Sequence, residues 1–318
     1  MWPYITRRLI AFVPTLVLTS LLVFTLIRVV PGDVAEARLS GGGELPVDPG
    51  EVARLRSELG LDRPVYNQYL DWLRDLAQLD FGTSLWTGRP VAEHLQQWFP
   101  VTLELAVFAL IIAAIGGIGL GVLSGITRGS VVDYLARFVS VIGVAAPTFW
   151  VGTLVLLALL RLTDWAPPVR YTGPRQDLVT NLTIMFWPAV VSGFASMAYV
   201  SRLSRSAFLE LSRQDFSRTA RAKGASERIV NLRHILPNML PAVITMLGVE
   251  FAHLITGVAI VEIIFSVPGL GRGLLRGIAN RDYVLVQSII MLIAFMVLVI
   301  NLMVDVVAAR LDPRVRLS

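Results

Sequence analysis

Long apolar runs alternate along the chain with short polar breaks marked by glycine and proline. Six of these runs, roughly 9–30, 101–124, 138–160, 182–201, 239–265 and 284–308, reach the length needed to cross a bilayer, about 20 mostly apolar residues. In lipid, every backbone N–H and C=O must be satisfied within its own segment, so the pattern predicts six transmembrane helices and an all-α membrane fold. Arg7 and Arg8 precede the first run as they would in a secretory signal. The run continues to Val30 with no small-residue cleavage pattern behind it, which predicts an uncleaved first helix.

Periodicity changes between the first two runs. Val52, Leu55 and Leu59, then Tyr66, Tyr69, Leu70, Leu73 and Leu76, recur at helical spacing and are interrupted at Pro64, which predicts short amphipathic helices. The glycine-rich stretch from Gly41 to Gly50 reads as a loop. The chain therefore divides into a first transmembrane helix (1–30), an outer loop subdomain (31–99) that either caps the bundle or docks a partner, and a five-helix core (100–318). Pro14, Pro147 and Pro188 fall inside apolar runs and predict kinks, whereas Pro100 fits the first turn of the second span. Gly117, Gly121 and Gly125, four apart, predict close approach of a neighbouring helix, with packing or gating as the use. No repeat of 20–50 residues is visible, so a half-transporter that pairs with another subunit fits better than a transporter built from internal repeats.

Composition agrees with lipid as the solvent: 55% of the residues are hydrophobic and 16% charged, against about a quarter charged in soluble domains. The net charge of +5 would suggest nucleic acid in a soluble protein, but here topology accounts for it and no nucleic-acid partner is expected. The loop Arg202–Asn238 carries eight basic and three acidic residues, and cytoplasmic loops are the basic ones. Both termini are therefore expected in the cytoplasm and 31–99 outside. The chain has no cysteine, and His94, His234 and His253 are scattered, so neither a disulfide framework nor a metal site is expected.

Within the basic loop, at about 202–238, runs Asp215-Phe216-Ser217-Arg218-Thr219-Ala220-Arg221-Ala222-Lys223-Gly224-Ala225-Ser226, continuing to Leu236-Pro237. A short helix with small residues at Ala220 and Ala222 offers a thin ridge for a partner's groove. Gly224 lets the chain turn with positive φ. The segment resembles the EAA loop of ATP-binding-cassette importer permeases, with Thr219 and Ala220 at the alanine positions, Gly224 at the glycine, Leu236-Pro237 at its end and Arg218 where glutamate is usual.

Four more segments look like the first permease subunit of the dipeptide and oligopeptide branch of that family. They are Leu59-Gly60-Leu61-Asp62-Arg63-Pro64 with Gln68-Tyr69; Asp80-Phe81-Gly82-Thr83-Ser84; Phe265-Ser266-Val267-Pro268-Gly269-Leu270-Gly271 with Asn280-Arg281-Asp282-Tyr283; and Leu311-Asp312-Pro313-Arg314-Val315-Arg316. The Pro-Gly-Leu-Gly piece also reads as a tight turn at an outer mouth or as a connector. The resemblance implies a type I importer permease in a bacterial or archaeal plasma membrane. It further implies a heterodimer with a second homologous permease, two ATP-binding subunits that carry ATP and Mg, and an extracytoplasmic binding protein that delivers peptides. Nickel chelates, glutathione and oligosaccharides are alternative cargoes on the same scaffold.

Ionisable residues inside a span cost about 2.5–3.5 kcal/mol on insertion scales and should face the bundle, water or one another. Glu250 and His253 share a helix face with Gly257, and Asn301 and Asp305 form a second polar pair. These four are candidates for lining a path or for clamping helices. Arg28 and Glu262 lie near span ends, where snorkelling is expected. A phosphate-binding loop needs Gly-Lys followed by Ser or Thr, but the only lysine, Lys223, stands between Ala222 and Gly224. No cofactor is expected on this chain, and it should not hydrolyse ATP. The reading from a different class is a secondary transporter driven by an ion gradient.

Overall fold

The structure, a computed structural model, describes residues 2–29, 34–40, 47–168 and 170–311. Among these residues there is no strand, only an isolated bridge between Thr83 and Pro90. The helices are α1 (Trp2–Val29), α2 (Val34–Leu39), α3 (Pro49–Glu58), α4 (Val65–Ala77), α5 (Val91–Ile126), α6 (Val131–Ala145) and α7 (Thr148–Leu162). They continue as α8 (Leu178–Leu211), α9 (Asp215–Ala222), α10 (Glu227–Ile229), a π-helical stretch Val230–Ile235, α11 (Leu236–Gly257), α12 (Ala259–Ile264), α13 (Leu270–Ala279) and α14 (Tyr283–Leu311). Among the described residues five helical stretches are long and apolar enough to cross a membrane alone, and α6 with α7 meets the same criterion only as a bent pair.

Three of the predicted spans come out differently in detail. The third, 138–160, is not one kinked helix but two helices meeting at 109°. Pro147 lacks the N–H that would continue the ladder and holds Ala146 extended at ψ 125. The fifth, 239–265, ends at Gly257 and resumes as the short α12. The second begins upstream at Val91, so Pro100 lies within α5 rather than in its first turn. Val91 and Leu95, four apart and buried, draw the helix back across that proline, whose own residue stays exposed.

The chain forms two compact units, one of Leu103–Val267 with the chain from Val299, the other of Trp2–Thr102 with Pro268–Leu298. In the first, α8 is the axis. A Cβ at Gly117 would fall 2.9 Å from the Met197 carbonyl oxygen, one at Gly121 2.5 Å from that of Ser201, and one at Gly125 2.6 Å from the Phe208 ring. The predicted glycine stripe is thus the seam of α5 on α8. From the other side Gly193 of α8 meets the Ala109 carbonyl, with 2.6 Å to a built Cβ, and Gly143 of α6 meets Ala198. Small residues bring backbones this close because dispersion between helices, not exclusion of water, drives their association in lipid.

Polar ties lock the same unit. Asp133, 1% exposed, accepts from Ser124 Oγ, from the Gly129 N–H at 3.0 Å and from the Arg205 fork at 3.0 and 3.1 Å, joining α5, the following turn, α6 and α8. In the 163–177 segment Tyr171 donates to Glu104 at 2.6 Å. Burial, and then the Glu104 carboxylate, push its phenol above the ordinary value, so it stays protonated as the donor.

In the second unit, α3 and α4 are the short helices expected on either side of Pro64, although α3 begins at Pro49, inside the stretch read as a loop. Residues 41–46 of that stretch lie outside the described residues. Asp48 caps α3 through the Gly50 N–H at 3.1 Å, which draws Pro49 and Gly50 into the first turn. Phe24 of α1 packs on Tyr69 and Trp72 of α4. The Arg28 guanidinium lies 3.5 Å over the Phe24 ring and donates to Gln68 Oε1 at 2.8 Å, where α4 supplies an acceptor. Glu262, in the first unit, does not snorkel and is fully buried.

The Pro-Gly-Leu-Gly piece opens α13 rather than making a free turn. Leu270 is buried and donates its N–H to Thr102 Oγ1 at 2.7 Å, while Gly273 sits against the Trp98 ring.

The glycine seam makes a paired expectation. Gly121→Ala should lower stability by about 1–3 kcal/mol, since the added methyl meets backbone atoms that cannot give way. Gly119→Ala on the open face of α5, where nothing lies within 4 Å, should be neutral or gain up to about 1 kcal/mol of helix propensity. Thermal unfolding of the two purified variants in detergent checks the contrast.

Candidate functional site

The loop from α8 to α11 is built as one ordered piece. α8 ends at Leu211, and Gln214 in extended conformation starts α9. Two turns later Lys223 closes the helix and Gly224 adopts φ +83. The Ala225 N–H then reaches back to the Ala220 carbonyl at 3.2 Å and the Gly224 N–H to that of Arg221 at 2.9 Å. This is a Schellman cap, and it satisfies the last carbonyls without help from outside. Positive φ at Gly224 was legible in the sequence, whereas no neighbour stands within 4 Å of a Cβ there, so backbone conformation alone demands glycine.

Three side chains fix α9 to its surroundings. Ala220 is buried in a cluster with Val200, Phe208, Val230, Ile235, Met239 and Val243. Ser217 Oγ donates to the Leu211 carbonyl at 2.8 Å. Arg221 donates Nη1 to the Ser212 carbonyl at 2.9 Å and forks onto Glu227 at 2.7 and 3.2 Å, so one guanidinium ties the end of α8 to the start of α10. Arg218, Thr219, Ala222, Lys223 and Ser226 are exposed, and Ala225 is half-buried. Leu236 and Pro237 open α11, and Pro237, which has no N–H to donate, stands just after the π-helical stretch in a helix that runs on from Glu227. The sequence did not mark Ser217 and Arg221 as the fasteners of this segment. Only the fold brings their carbonyl partners near.

The polar candidates of the membrane helices separate. Glu250 and His253 line one cavity of about 190 Å³, together with Gly257, Thr148, Ser192, Ser196 and Tyr199. Glu250 is 4% exposed, while His253 is exposed. Asn301 and Asp305, on α14, do not line this cavity; Asn301 is exposed and Asp305 half-buried.

In the second unit, the segments Asp80–Ser84 and Asn280–Tyr283 meet. Ser84 Oγ and the Leu85 N–H, the latter at 3.0 Å, both donate to the Asp282 carboxylate, which also accepts the Leu285 N–H at 3.3 Å. Asp282 is 1% exposed. The segment from Leu311 to Arg316 lies, after its first residue, outside the described residues.

An all-helical, multi-span chain whose two long helices are joined by a capped, anchored loop is compatible with an ABC importer permease, and the comparisons with known proteins place it there. Two family descriptions cover most of the chain: the binding-protein-dependent transport system inner membrane component over residues 117–317 and its N-terminal counterpart over 1–106. The chain belongs to this family.

Among relatives, the di/tripeptide transport system permease protein DppB of Pseudomonas aeruginosa is 37% identical, with 99% of each chain covered. The dipeptide permease DppB of Alkalihalophilus pseudofirmus is 33% identical over 99% of this chain and 100% of its own. The glutathione permease GsiC of Escherichia coli is 35% identical over 98% of each. Among solved structures, the inward-facing methionine ABC transporter MetNI matches with a TM-score of 0.56 at 16% identity, covering 69% of this chain and 96% of that one, which establishes the shared fold.

If Arg221 fastens the loop, Arg221→Met should loosen it by about 1 kcal/mol, the scale of a half-exposed charged pair, or about fivefold in opening. Limited digestion with trypsin at the exposed Arg218, Lys223 and Arg228 should then proceed about fivefold faster than in the parent.

Proposed function

We propose that the chain is the first permease of a peptide importer and that its α8–α11 loop is where partner ATPase subunits push on it. The observation that carries this reading is the combination at α9: a short helix with an exposed face of small side chains, closed by its own glycine cap and bolted at Ala220 and Arg221 to the ends of two membrane helices. Such a ridge needs no ordering when it docks, and a displacement imposed on it moves the ends of α8 and α11 with it. Arg218, Thr219, Ala222, Lys223 and Gly224, with Ala225 and Ser226 beyond the turn, would form the docking surface, and Leu236-Pro237 would carry the movement into α11.

The remaining assignments follow from that role. A second homologous permease completes the path, two ATP-binding subunits carry ATP and Mg, and an extracytoplasmic binding protein delivers the cargo. Peptides are favoured as cargo by the names of the two DppB relatives, and glutathione, the cargo in the name of GsiC, is itself a tripeptide. This chain holds no nucleotide.

Gly224→Val tests the loop. A β-branched residue at φ +83 carries local strain of about 1–3 kcal/mol, with no steric clash inside the chain to spread it. The variant should reach the membrane in near-normal amounts, yet recover less ATPase subunit in a pull-down or leave hydrolysis unresponsive to loaded binding protein. Parent-like assembly and uptake would remove the coupling role, and ATP hydrolysis by the purified chain alone would overturn the division of labour.

The orientation has its own test. Both termini and Ser226 are proposed to be cytoplasmic and Ser57 outside, from the charge of the α8–α11 loop. Because the chain has no cysteine, single cysteines at these two serines can be labelled on intact cells with an impermeant reagent. Position 57 should react and position 226 should not; the reverse pattern would invert the topology.

A further inference from the structure

Two breaks in the membrane helices converge on one place. Thr148, just after the α6–α7 break, and Gly257 and Val258, at the α11–α12 break, all line the 190 Å³ cavity that Glu250 also lines. Backbone that departs from a helix at membrane depth is tolerated where it faces a polar or water-filled space, so the coincidence marks this cavity as a polar opening within the bundle.

The Glu250 carboxylate sets its chemistry. The residue is 4% exposed and makes no hydrogen bond or ion pair among the described residues. No lysine or arginine lines the cavity, and the imidazole that does, His253, is exposed and makes no ion pair with Glu250. The carbonyl end of α11, two turns further on at Gly257, adds the negative pole of the helix to the same wall. A carboxylate held this way in a membrane protein calls for a cation, and the hydroxyls of Thr148, Ser196 and Tyr199 around it are neutral acceptors. One carboxylate with several neutral acceptors matches a primary ammonium group, which has three N–H bonds to place.

We propose that Glu250 receives the free amino terminus of the cargo as it passes through the membrane. This rests on the peptide reading above and adds to it that the permease itself, and not only the delivering protein, recognises one end of the peptide. The cavity is sized for an end group rather than for a whole peptide.

The test uses the absence of cysteine from the chain. Ala195→Cys places a single thiol on the cavity wall, and the rate of its reaction with a small methanethiosulfonate is followed in the assembled transporter. Millimolar Ala-Ala should slow labelling at least fivefold, N-acetyl-Ala-Ala at the same concentration should leave it unchanged, and Glu250→Gln should abolish the protection without altering the ligand-free rate. If Glu250→Gln does not assemble, the contrast between the two peptides, measured in the transporter without its binding protein, still decides. Equal protection by the acetylated peptide, protection that survives Glu250→Gln, or no protection in a transporter that imports Ala-Ala overturns the assignment. A transporter that imports another cargo and no peptide overturns the peptide reading itself, and this inference with it.

Discussion

The close contact of α5 on α8 is the constraint from which the first unit follows. At Gly117, Gly121 and, from the opposite side, Gly193, the glycine meets backbone or Cβ, and at Gly125 the Phe208 ring, at distances no side chain could share. In lipid this intimacy replaces the hydrophobic effect as the source of helix adhesion. It leaves α8 no freedom to rotate against α5, and it fixes where the C-terminal end of α8 delivers the chain. The Asp133 cluster then adds a polar lock near that end, where Arg205 and Ser124 meet the same carboxylate.

The loop beyond α8 inherits that rigidity. Because Ser217 and Arg221 spend their hydrogen bonds on the Leu211 and Ser212 carbonyls, α9 is an extension of the α8 terminus and not a tether hanging from it. Ala220 reaches residues of α8, the π-helical stretch and α11 together. In the proposed role, the loop therefore behaves as a lever whose arms are already attached.

Much of this was legible in the sequence, and the exceptions have physical causes. The apolar helices could be read because a chain in lipid must satisfy its backbone within long apolar segments, and the Gly224 turn because a helix of small residues followed by glycine has few other uses. The break near Pro147 was anticipated but its 109° angle was not, since proline removes a hydrogen bond without specifying a direction. The break after Gly257 carries no proline and was missed. Glu262 was misplaced because position along a helix says nothing of which neighbours fold over it. Ser84 and Asp282 stood inside segments singled out for resemblance, yet their pairing across 198 residues leaves no local trace. At the cavity, helical spacing put Glu250 and His253 on one face, but the hydroxyls opposite them come from α7 and α8 and needed the fold.

The π-helical stretch Val230–Ile235 acts as a phase setter. Each turn closed over five residues instead of four accommodates one residue more than an α-turn, and one residue of an α-helix is worth about 100° of rotation. Everything C-terminal to it on α11 is therefore clocked relative to the loop by that extra residue. Glu250 looks into the cavity, rather than into lipid or the α8 seam, because of a register choice made some fifteen residues earlier. Straightening this stretch into regular α-helix without removing a residue would keep the helix, its hydropathy and its length nearly intact while turning the whole polar face of α11 away from the space it lines.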